Sequence, residues 1–78
     1  MKTNELKKGD RVRLTNGWDA IVEDNKKGNT RVCTVFGYFT EMGSVYSHDI
    51  KFKYEYDGSL SYIELTPAQI ELKNLVRF

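Results

Sequence analysis

Asp10-Arg11-Val12-Arg13-Leu14-Thr15-Asn16-Gly17-Trp18-Asp19-Ala20-Ile21-Val22-Glu23 decides how this chain is read. Val12 and Leu14 alternate with Arg11 and Arg13, which is the period of a strand with one apolar face. Asn16-Gly17 then reverses the chain, because both residues tolerate positive φ. Trp18 onward returns as a second strand, and its Ala20-Ile21-Val22 run suggests burial on both sides. The spacing predicts strands over 10–15 and 18–24 joined by a two-residue turn.

Outward from this hairpin, strand signals continue. Residues 24–30 (DNKKGNT) carry no apolar side chain and read as a solvated loop. Residues 31–40 are the most apolar stretch and predict a central strand, with Gly37 marking a bulge or a close backbone approach. Glu41-Met42-Gly43-Ser44 reads as a turn, followed by strands over 45–50 and 50–56. Asp57-Gly58 turns the chain into a strand over 59–65. A two-residue loop there sets Tyr54 opposite Ser61. A three-residue loop sets Tyr56 opposite Leu60 and Tyr54 opposite Tyr62, which unites the apolar residues on one face. Thr66-Pro67-Ala68-Gln69 has the form of a capping box and predicts a short helix over 67–76. The fold class is mainly β: a small barrel of about five to six antiparallel strands with a short C-terminal α-helix.

Size and composition bound what such a chain does. With 78 residues there is room for one domain over 1–78 and for no cleft between domains. No apolar run approaches the about 20 residues of a membrane span, and residues 1–10 lack the apolar core of a signal peptide. One cysteine, Cys33, excludes an internal disulfide and fits a cytoplasmic setting. The net charge of +1 conceals a gradient: residues 1–34 hold eight basic and five acidic side chains, residues 35–78 four and six.

Residues Leu6-Lys7-Lys8-Gly9-Asp10-Arg11-Val12-Arg13-Leu14, followed by Asn16-Gly17 and Ala20-Ile21-Val22, resemble the opening of KOW-type and other SH3-like barrels. In those, a Lys-Gly-Asp-x-Val strand precedes a tight turn and a second strand that ends in valine. The resemblance covers residues 6–23 closely and 31–50 loosely. The chain also looks like the short SH3-like proteins that bacteriophages encode as single genes. KOW motifs usually carry a glycine in the second strand region, where this chain has Trp18-Asp19-Ala20. The resemblance implies an SH3-like barrel and a role in contacting nucleic acid or a nucleoprotein complex.

Chemistry-bearing constellations are sparse. There is no phosphate loop, no dinucleotide glycine motif and no Cys/His metal cluster, so no cofactor and no metal are expected. Ser47-His48-Asp49 holds triad residue types, but neighbours on a strand point to alternate faces. Cys33 reads as a core thiol. The expectation is a non-catalytic binding module. Arg11, Arg13, Lys26, Lys27 and Arg31 form a candidate basic surface, with Trp18 as a stacking face for nucleic acid. The same arginines also read as ordinary solvation of an outward strand face. Eight of the ten aromatic residues lie between Phe36 and Tyr62, more than a domain this small buries. Phe36 and Phe52 are expected in the core. Tyr38, Tyr46, Tyr54, Tyr56 and Tyr62 form the alternative, a protein interface to a host or phage protein or to a second copy in a homodimer.

Overall fold

The computed structural model describes residues 1–24 and 30–75. The chain forms six antiparallel strands in one open sheet and one short C-terminal helix. The strands are β1 (Arg11–Leu14), β2 (Asp19–Val22), β3 (Thr30–Phe36), β4 (Thr40–Tyr46), β5 (Ile50–Tyr54) and β6 (Leu60–Tyr62), and the helix is α1 (Pro67–Leu75). The sheet order is β4-β3-β2-β1-β5-β6. Four strands therefore meander outward from β1, and β5 returns to pair with the other side of β1. One-turn 3-10 helices at Thr3–Glu5 and Ser47–Asp49 complete the chain.

Two hairpins share one turn geometry. Leu14 N donates to the Trp18 carbonyl (2.7 Å) and Gly17 N to the Leu14 carbonyl (3.0 Å). Glu55 N donates to the Ser59 carbonyl (2.9 Å) and Gly58 N to the Glu55 carbonyl (3.1 Å). In both, the residue before glycine accepts a bond from the amide two residues on: Asn16 Oδ1 from Trp18 N (3.0 Å), Asp57 Oδ1 from Ser59 N (2.9 Å). Only the glycines take positive φ, +91° and +89°. Each turn is thus a three-residue loop with glycine last, not the two-residue turn that Asn-Gly suggests. At the second hairpin neither expected register holds. Tyr54 lies opposite Leu60 and Phe52 opposite Tyr62, two residues from the three-residue alternative but with its division of faces.

The third strand ends earlier than its apolar run predicts. The chain reverses at 37–39, not at 41–44, and residues 41–44 lie within β4 with Gly43 opposite Cys33. Residues 47–49, expected at the end of a strand, form the second 3-10 helix. Gly37 lies in the early reversal and meets the Trp18 ring. A Cβ there would stand 2.5 Å from the Trp18 ring, so the glycine seats the indole against the backbone.

The core is aliphatic. Leu6, Val12, Leu14, Ala20, Val22, Cys33 and Ile50 are buried together, with Met1, Val35, Val45 and Ile63 packed at its margin. A register shift between Arg13 and Leu14 sets Leu14 opposite Ile50 but Arg13 opposite Phe52. Such a bulge lets two residues of the same parity serve different faces. Phe52 is buried as expected, but outside this cluster, against Tyr54 and Tyr62. Phe36, expected in the core, is 39% exposed, because it sits at the last pair before the turn. The capping box forms: Thr66 N donates to Gln69 Oε1 (2.9 Å) and Gln69 N to Thr66 Oγ1 (3.2 Å).

Candidate functional site

The expected basic surface separates into two parts. Arg31, Cys33 and Val35 alternate on one side of β3, so Arg31 shares the core face and is 1% exposed. Its Nη2 donates to Asn4 Oδ1 (2.7 Å) and the Thr3 carbonyl (3.5 Å). Its Nη1 donates to the Thr30 carbonyl (2.8 Å) and Ser47 Oγ (3.4 Å). Both 3-10 helices thus close over one guanidinium. Gln69 Nε2 of α1 donates to Thr3 Oγ1 (2.9 Å), which ties the helix to the same cap. Arg31 is therefore a structural residue and does not join an outer contact face. Its parity with Cys33 is the signal that tells this from sequence.

Arg11 and Arg13 do share the outer face, where Asp19 holds both. Arg13 Nε lies 2.5 Å from Asp19 Oδ1 and Arg11 Nη2 lies 3.2 Å from Asp19 Oδ2. The Tyr54 hydroxyl donates to Asp19 Oδ1 at 2.9 Å, and the two guanidinium carbons lie 5.5 and 6.0 Å from the Tyr54 ring centre. Burial works to raise the Asp19 pKa. Bonds from Arg13, Tyr54 and Arg11 outweigh it and hold the carboxyl below its ordinary value. Arg13 is raised in turn, chiefly by its bond to Asp19. Sequence reading missed Asp19, because the expected two-residue turn sets it opposite Leu14, whereas the three-residue loop sets it opposite Arg13. Lys26 and Lys27 lie outside the described residues.

Trp18 faces another way, toward the β3–β4 turn. It meets Tyr38 edge to face at 5.7 Å and rests on Gly37. Tyr38 and Phe39 project from that turn with 90% and 77% exposure, and Phe36 lies beside them in sequence. Of the other expected interface tyrosines, Tyr46 stacks on His48 at 5.0 Å and Tyr62 on Phe52 at 5.3 Å. Tyr54 belongs to the Asp19 group, and Tyr56 stands fully exposed at the β5–β6 turn. The structure does not gather these five tyrosines into one patch. It gathers Trp18, Tyr38 and Phe39 at one end of the sheet.

A pocket of about 270 Å³ opens beside Trp18, between the β1–β2 turn and the last residues of β4. Trp18 and Tyr46 contribute rings, Leu14, Val35 and Val45 aliphatic surface, and Asp49 the one carboxylate. Thr15 fixes Asp49 through its backbone, N to carbonyl at 2.8 Å, and through a hydroxyl contact to Oδ1 at 3.4 Å.

Ser47-His48-Asp49 is a helical turn, so the strand argument about its side chains does not apply. His48 is buried on Tyr46 with Nε2 4.0 Å from Asp49 Oδ1, and Ser47 Oγ accepts from Arg31. Burial, followed by the charge of Asp24, pushes the Cys33 thiol up to about 11. Among the described residues no group of three or more His, Cys, Asp or Glu is placed to hold a metal, and no helix is long and apolar enough to cross a membrane. Compared with protein-family models, curated proteins and solved structures, the chain finds no match.

Proposed function

We propose that this chain is a non-catalytic protein-interaction module on an SH3-like scaffold, and that its contact surface is the end of the sheet bearing Trp18, Tyr38 and Phe39. The observation that carries this is the contrast between an aliphatic core and two rings left almost wholly in solvent on a short turn. Large exposed rings beside a packed indole are the anchors that protein interfaces use. The return of β5 to β1 supports the scaffold reading, since a meander that closes back on its first strand is halfway to a small barrel. A capture experiment tests the function. Tagged protein is used to isolate a partner from the source cell, and the Tyr38→Ser/Phe39→Ser variant is expected to lose that partner. Retention of the partner by the double variant overturns the reading.

Nucleic-acid contact is the second reading. It rests on Arg11, whose side chain is 60% exposed and lies over the Tyr54 ring. It ranks lower because Asp19 neutralises part of that face and Arg31 lies in the interior. Oligonucleotide binding that falls steeply with salt, and disappears in Arg11→Glu, would reverse the ranking.

A further inference from the structure

The pocket beside Trp18 has a composition that selects its occupant. At about 270 Å³ it is smaller than the roughly 300–1,000 Å³ of sites for drug-sized molecules and suits one long side chain. Its floor, Leu14, Val35 and Val45, is aliphatic. Its rings, Trp18 and Tyr46, belong to the residue types whose faces attract a cation, and Tyr46 has one face already stacked on His48. Asp49 supplies its single formal charge, and no lysine or arginine among the described residues pairs with that carboxylate, whose nearest basic neighbour is the His48 imidazole, Nε2 at 4.0 Å from Oδ1. Asp49 is also held in position, by the backbone bond from Thr15 and by its place in the Ser47–Asp49 turn. An anion meets repulsion here, and a neutral apolar group leaves the carboxylate facing it without a counter-charge.

We infer that this pocket receives an arginine side chain of a partner protein. The arginine stem covers the aliphatic floor, and the guanidinium meets the rings and the Asp49 carboxylate. A guanidinium is weakly hydrated, planar and able to engage a carboxylate through two N–H groups while it stacks on a ring. The inference rests on the protein-interaction reading and names the chemistry of the partner at one point of the surface.

Trp18 is the one tryptophan of the chain, so its selectively excited emission reports from the surroundings of that ring, this pocket and Tyr38 among them. The full chain is titrated with acetyl-Gly-Arg-Gly-amide and, separately, with the same peptide carrying citrulline, which keeps the shape and removes the charge. The arginine peptide is expected to give a saturable change, with affinity at least about ten-fold weaker for citrulline, the 1.4 kcal/mol that loss of one charged contact commonly costs. Asp49→Asn keeps the side chain's shape and its acceptor for Thr15, and is expected to lose the same factor with an unchanged melting temperature. No saturable change, an equal response to citrulline, or full affinity in Asp49→Asn overturns the inference. The two readings fail separately. A silent titration, with partner capture still lost in Tyr38→Ser/Phe39→Ser, removes the arginine pocket and leaves the aromatic contact surface standing.

Discussion

Arg31 and Arg13 are the same residue type, each on a strand, Arg31 two residues from buried Cys33 and Arg13 one residue from buried Val12 and Leu14, and they do opposite things. Arg31 points with Cys33 into the interior, where its guanidinium is the hub on which Thr3, Asn4 and Ser47 converge. Arg13 points away from Val12 and Leu14 and shares Asp19 with Arg11 across the sheet surface. A buried cation is supported by fixed polar groups whose own bonds depend on it. A surface pair trades its contacts against water at little net gain. The difference teaches that charge alone says nothing about exposure. Strand parity relative to a core residue says much more.

The contrast can be broken by three substitutions. Arg31→Ala removes the hub, empties its buried volume and takes one donor from the Thr3 carbonyl and one from Ser47 Oγ, both on buried residues. The expected loss is about 3 kcal/mol or more by urea unfolding. A loss under about 1 kcal/mol would show that the cap does not depend on this residue. Asp19→Asn weakens contacts to both arginines and to Tyr54, with an expected loss of about 1 kcal/mol at neutral pH. Its signature is pH dependence. Asp19 has a folded pKa below its ordinary 3.8, so its contribution is fully present above that value and is lost as pH falls through the lower one. Acid titration of stability should therefore be shallower in Asp19→Asn below pH 3.8. An unchanged acid profile would remove Asp19 from the account. Arg11→Ala, at the most exposed of the three arginines, should change stability by no more than about 0.5 kcal/mol in thermal melts.

The turns and the helix cap were legible because each depends on a few adjacent residues. Asn16-Gly17 and Asp57-Gly58 mark reversals, and Thr66 with Gln69 marks a helix start, whatever lies elsewhere in the fold. Their fine geometry was not legible, since a bulge glycine and a two-residue turn share the same dipeptides. Gly37 and Gly43 show a second limit. Both are glycines near an apolar run, but only Gly37 has an indole from another strand lying against it. The glycine does mark a close approach, as its place in the apolar run suggests, but which ring approaches is a tertiary fact. The same holds for the site: Tyr38 and Phe39 were visible as surplus aromatics, whereas Asp49 and Thr15 meet only after the second 3-10 helix places them together.

The two margins of the sheet are unequal. At β6, a three-residue strand, Met1 N donates to the Tyr62 carbonyl at 3.0 Å and Glu64 N to the Met1 carbonyl at 2.7 Å, so the first residue of the chain ties off that border. At β4, seven residues carry one charged side chain, Glu41, and nothing pairs with their outer side among the described residues. Backbone association consequently has a direction. An incoming strand finds β4 open along seven residues, whereas at β6 Met1 already holds two of the backbone groups.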